Sequence, residues 1–187
     1  MDTEAAQPSA RDDVWAQRWD LVCRVRLSSL YHEKRERFFD VADKLSKAFA
    51  VIGGAAAVSQ LIADPTSKIW IAALVSIAST ISLVFGIAQK ARRHGELARD
   101  FKKLWARIEE VGNFPVEQQI SKFRSEILLL ESNEPAAMSA LIRHCENQIS
   151  LGTGHPDEVI PLTLTQLTLM HFWDFPLQPD KSRAHSP

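Results

Sequence analysis

The chain has 187 residues, of which 45% are apolar and 24% charged, and its formal net charge is −1. That length suits one domain, or a membrane hairpin with one modest helical bundle, and near-zero charge excludes a general nucleic-acid binder. Two cysteines, Cys23 and Cys145, exclude a disulfide framework and a four-cysteine metal site, and fit reduced thiols in a cytoplasmic setting.

In chain order, residues 1–12 are polar and acidic and read as a disordered N-terminus rather than a cleavable signal peptide. Residues 13–47 contain no Gly or Pro and read as cytoplasmic entry helices, with a break fitting only near Ser28-Ser29. Residues 48–63 are free of charge and read as a first transmembrane helix. At 16 residues they reach only about 24 Å, which alone is ambiguous with a buried helix. Residues 64–68 form an external turn, in which Pro65 ends the first helix while Thr66 or Ser67 caps the second. Residues 69–89 hold no charge over 21 positions and reach about 31 Å, enough for a hydrocarbon core of roughly 30 Å.

The competing reading is a hairpin buried in a larger soluble protein, but so short a chain would struggle to surround 21 apolar residues. Basic residues fix the orientation. Lys34, Arg35, Arg37, Lys44 and Lys47 precede the first span, Lys90, Arg92, Arg93 and Arg99 follow the second, and the turn offers only Lys68. Both termini are therefore expected in the cytoplasm.

Small residues at four-residue steps, Gly53, Gly54 and Ala57 in the first span with Ser82 and Gly86 in the second, permit close helix packing. Ser59, Gln60, Ser76, Ser79 and Ser82 are weakly polar at depth. They read either as a stripe lining a water path in an oligomer, or as hydroxyls bonded to carbonyls one turn back.

Residues 90–151 read as further cytoplasmic helices. Leu97, Phe101, Leu104, Trp105, Ile108 and Val111 form one seam, Val116, Ile120, Phe123, Ile127 and Leu130 a second, and Met138, Leu141, Ile142, Cys145 and Ile149 a third. The expected fold is all-α: a two-transmembrane helical hairpin continuous with a cytoplasmic bundle of about four helices. The apolar segment 152–175 fits helix or strand, docked on the bundle or lying on a membrane surface, and 176–187 read as a disordered tail.

No catalytic constellation is present. His32-Glu33 begins a zinc-protease string, but its fifth position is Glu36. The six histidines are scattered and read as partly exposed helix residues. No enzyme activity, metal or cofactor is expected. Arg24 and Arg26, with Lys34, Arg35 and Arg37, read as a juxtamembrane basic collar, or as a site for anionic lipid or phosphate.

Tyr31-His32-Glu33-Lys34-Arg35-Glu36-Arg37-Phe38-Phe39-Asp40, followed by a span containing Gly53-Gly54, a short turn, a second span and basic residues, resembles the SLATT domain. That family comprises bacterial two-transmembrane effectors associated with SMODS nucleotidyltransferases and SLOG sensors. The resemblance covers roughly 15–149, and Tyr31, Arg35, Arg37, Phe38, Phe39, Gly53 and Gly54 match its motif positions. It implies a homo-oligomeric effector of an anti-phage system in the bacterial inner membrane. Such an effector would open a pore in the lipid bilayer when triggered by a nucleotide second messenger or sensor protein. The alternative is a membrane-anchored scaffold or sensor whose bundle recruits a partner without any pore.

Overall fold

The computed structural model describes residues 10–54, 64–84 and 86–175. Regular structure among them is entirely helical: α1 (Ala10–Gly54), α2 (Pro65–Val84), α3 (Ile87–Glu110), α4 (Glu117–Glu131), α5 (Ser139–Gly152), a 3-10 turn (Pro156–Glu158) and α6 (Leu164–Leu169). The class is all-α. Two compact units divide the chain, one comprising Met1–Tyr31 with Leu97–Pro187, the other His32–Glu96.

A single helix of 45 residues, α1, runs through Ser28-Ser29 without a break. No Gly or Pro interrupts it before Gly53, so nothing in the backbone resists continuation. The second helix differs from expectation at both ends. It starts at Pro65, so residues 65–68 form its first turn rather than a loop. Asp64, not Thr66 or Ser67, supplies the cap: its carboxylate accepts the Ser67 backbone N–H at 2.8 Å and the Ser67 hydroxyl at 2.8 Å. Proline is well suited to the first helical position, because its missing N–H would have had no intrahelical partner.

At its far end α2 stops at Val84, and the expected continuity through 69–89 fails at Gly86. Gly86 adopts φ +56°, a left-handed conformation that glycine enters without the steric penalty of a side chain. Among the described residues no helix is long and apolar enough to cross a membrane. The expected first span lies outside the described residues from 55 to 63, and Phe85 of the second lies outside them too. The fold therefore establishes the helical class and not the two-span hairpin.

In the larger unit, Leu21, Val22 and Val25 of α1 pack with Phe101, Leu104 and Ile108 of α3 and with Ile120, Phe123 and Ile127 of α4. These are the seams set by helical periodicity. A second cluster joins Tyr31 to Leu141 and Cys145 of α5, with Met138, Ile142 and Met170 packed against it. Val116, expected in the α4 seam, instead lies exposed as the residue before the helix, where Gln119 Oε1 accepts its N–H at 2.9 Å.

Segment 152–175 belongs to this unit and forms the 3-10 turn and the short α6 joined by irregular backbone, with no strand. Asn147 holds the Ile160 backbone at both groups, its Oδ1 accepting the N–H at 2.9 Å and its Nδ2 donating to the carbonyl at 2.6 Å. Asp174 Oδ1 accepts the Ser139 N–H at 2.7 Å, so the tail caps the first turn of α5. The C-terminal residues 176–187 and residues 1–9, expected to be disordered, lie outside the described residues.

Asn147→Ala removes two partly buried hydrogen bonds. It is expected to lower stability by about 1–3 kcal/mol. Thermal unfolding measures that loss, and limited proteolysis should show earlier cleavage between residues 153 and 163.

Candidate functional site

The smaller unit brings together a polar cluster that the sequence shows only as separate pieces. On α1, His32, Arg35, Glu36 and Phe39 stand three, four and seven positions apart and so share one helix face. On α3, Lys90 and His94 are one turn apart, and Gly95 follows. His32 and His94 are 0% and 3% exposed, and their Nδ1 atoms lie 2.8 Å apart. That contact requires one ring to donate its Nδ1–H to the bare Nδ1 of the other.

Phe39 stacks on His94 with ring centroids 5.6 Å apart, and it carries the Arg35 guanidinium at 4.6 Å and the Lys90 ammonium at 5.9 Å from its centroid. Arg35 also lies 5.9 Å from Phe38, which meets Phe39 edge-on. Such cation–aromatic contacts are each worth about 0.5–2 kcal/mol, depending on how far water is excluded. Glu36 occupies the space over Gly95. A Cβ built at Gly95 would meet its carboxylate at 2.4 and 2.7 Å, so only glycine lets that carboxylate approach.

Electrostatics hold His94 uncharged. Burial is the first cause, followed by His32, Arg35, Arg93 and Lys90, and together they push its pKa down to about 3 from an ordinary 6.5. Both expectations for these rings are thereby corrected. The histidines are neither scattered nor partly exposed at 32 and 94, because the antiparallel return of the chain brings them face to face. The missed signal is register. The midpoint of His32 and His94 falls within a residue of Asp64, where α2 begins, and so does that of Arg18 and Glu109, which pair in the larger unit.

The remaining residues singled out from the sequence are placed as follows. Tyr31 belongs to the larger unit, where its hydroxyl accepts the Met138 N–H at 3.2 Å. Arg37 is exposed. Gly53 and Gly54 end α1, Ser76 is exposed on α2, and Gly86 forms the turn. Ser79 and Ser82 lie on the α2 backbone, but their side chains are outside the described set, as are Ala57, Ser59 and Gln60 altogether. Arg24 and Arg26 do not join the basic cluster of the smaller unit. Arg24 is held bidentately by Glu131, and Arg26 lies 5.2 Å over Trp105. Both interactions fasten helices within the larger unit.

Chemically, the cluster offers two buried imidazoles, of which His94 is held uncharged, and a stacked ring, with cations at its edge. Among the described residues no group of three His, Cys, Asp or Glu side chains is placed to hold a metal ion. The arrangement joins α1 to α3.

Gly95→Ala should gain much less than the ~1 kcal/mol that alanine usually adds to a helix interior, since Glu36 must swing aside. In a Glu36→Ala background the full gain should return. A double-mutant cycle by denaturant unfolding measures this coupling, and additivity of the two substitutions would contradict the packing described. Comparison with protein-family models, with curated proteins and with solved structures finds no match for this chain.

Proposed function

We propose that this chain is a two-helix membrane effector whose subunits assemble in a bacterial inner membrane and open a pore when triggered. The observation that carries this reading is the exposure of large apolar residues along α2. Ile69 and Val84 near its two ends are 69% and 71% exposed, and Trp70, Leu74 and Ile77 between them are also open. Phe49, Val51 and Ile52 at the end of α1 are exposed as well. Scattered exposed apolar residues are ordinary, but a whole apolar helix face in water is not. Lipid supplies the missing surroundings for this face, with α2 ending at Val84 and the uncharged run continuing past the Gly86 turn to Gln89.

The basic residues on either side of that run place both termini in the cytoplasm under the positive-inside rule. Two helices cannot enclose water, so a pore requires a homo-oligomer, with Ser76, Ser79 and Ser82, or Ser59 and Gln60, facing the path. Gly53, Gly54, Ala57 and Gly86 provide the close-packing faces. The trigger is a nucleotide second messenger or a sensor protein that binds the open arrangement more tightly than the closed one. A second reading, a membrane-anchored scaffold, is favoured by the lack of any ionisable group between Ile69 and Gln89, since ion paths usually carry one.

The full-length protein, reconstituted in phosphatidylethanolamine–phosphatidylglycerol liposomes, should resist carbonate extraction and release an entrapped dye when cyclic di- or trinucleotides are added. Extraction by carbonate would overturn the membrane placement. Intact vesicles under every trigger, with retained membrane insertion and a monomeric state, would favour the scaffold.

A further inference from the structure

The smaller unit contains a buried contact between two titratable rings. His32 on α1 and His94 on α3 meet through their Nδ1 atoms at 2.8 Å, with both rings out of water. The groups that lower the His94 pKa are His32 and Arg35 from α1, with Lys90 and Arg93 from α3, all basic, and the Glu36 carboxylate of α1 stands over the neighbouring Gly95. Phe39 closes one face of the His94 ring.

We infer that the His32–His94 contact is a proton-gated clasp, which holds α1 against α3 while at least one of the two facing nitrogens can accept a hydrogen bond and opens when both rings are protonated. In the neutral pair, one Nδ1–H fills the other ring's lone pair. Protonation of both rings leaves two Nδ1–H donors facing each other at hydrogen-bond distance, with no acceptor between them. The three nearby cations add repulsion, and burial denies the charge its hydration. A divalent metal would meet the same opposing cations, and no third ligand stands by among the described residues.

The direction with pH follows from linkage. An unfolded imidazole takes a proton near pH 6.5, whereas folded His94 does so only near 3. The closed arrangement is therefore fully favoured above pH 6.5 and loses ground as pH falls toward 3. For one linked proton, the ratio of open to closed forms rises by as much as about tenfold per pH unit.

The test uses the full chain in detergent micelles, with Cys23→Ser and Cys145→Ala and spin labels at Arg37→Cys and Arg92→Cys, two exposed positions on α1 and α3 of this unit. The interlabel distance should stay short at pH 7.5 and lengthen progressively between pH 6.5 and 4, with helical circular dichroism retained. His94→Asn, which keeps a polar partner for His32 and cannot be protonated, should stay closed over that range. So should His94→Phe, which preserves the stack on Phe39. A distance that does not change down to pH 4, or opening of the Asn and Phe variants at the wild-type pH, would overturn the clasp. Loss of helicity at one common pH in all of these proteins would overturn it as well, because it would identify general acid unfolding. None of these readouts depends on pore formation.

Discussion

The larger unit is built on the burial of one set of apolar side chains, and its other features presuppose it. Val25 of α1, Phe101 of α3 and Ile127 of α4 are fully buried together with their neighbours a turn away. Removing a ring such as Phe101 from such a core would cost roughly 3–5 kcal/mol, a large part of the stability of an ordinary domain. Three ion pairs that join helices of that unit, Arg18–Glu109, Arg24–Glu131 and Arg107–Glu126, lie at its periphery. Exposed pairs of this kind are worth at most about 1 kcal/mol, so they orient the helices more than they stabilise them. Arg18 is the exception in placement, since its guanidinium is nearly buried while Glu109 remains half exposed and also accepts the Trp105 indole N–H.

Periodicity made the core legible and left the clips invisible. Leu97, Phe101, Leu104 and Ile108 recur at three- and four-residue steps, so their shared face is local information. The same holds for Ile120, Phe123 and Ile127. Asn147 with Ile160, Asp174 with Ser139 and Tyr31 with Met138 are side chains satisfying distant backbone groups, 13, 35 and 107 residues away. Nothing in the composition of either partner announces the other. Segment 152–175 shows the consequence. Its LTLTQLTL run supports two periods equally, and its docking on α5, which excludes the free strand, depends on those unannounced contacts.

The histidine pair lies between these extremes. His32 and His94 carry no mutual signal as residue types, and as single residues they look like ordinary helix positions. Their meeting is nonetheless implied once the chain is taken to turn at Asp64, because an antiparallel return pairs positions equidistant from the turn. Arg35, Phe38 and Phe39 gain a physical role at the same step: Phe39 is the ring on which His94, Arg35 and Lys90 converge, and Phe38 meets Phe39 edge-on.

A polar contact at that place is a poor choice for stability, and its value lies in selectivity. An apolar pair of similar size would bury more favourably, since each imidazole must be desolvated before it hydrogen-bonds. Apolar residues, however, tolerate sliding, and the stretches beyond it, 48–54 of α1 and 69–84 of α2, are apolar with small residues at repeated steps. Helices of that composition can pack in several registers at similar energy. Two buried rings that hydrogen-bond to each other favour one register over its neighbours, and the Glu36 carboxylate seated over Gly95 adds to that preference. The glycine at 95 weakens α3 by about 0.5–1 kcal/mol relative to alanine. That intrinsic loss sits one residue from His94, so the close approach of Glu36 and the histidine contact share one turn of α3.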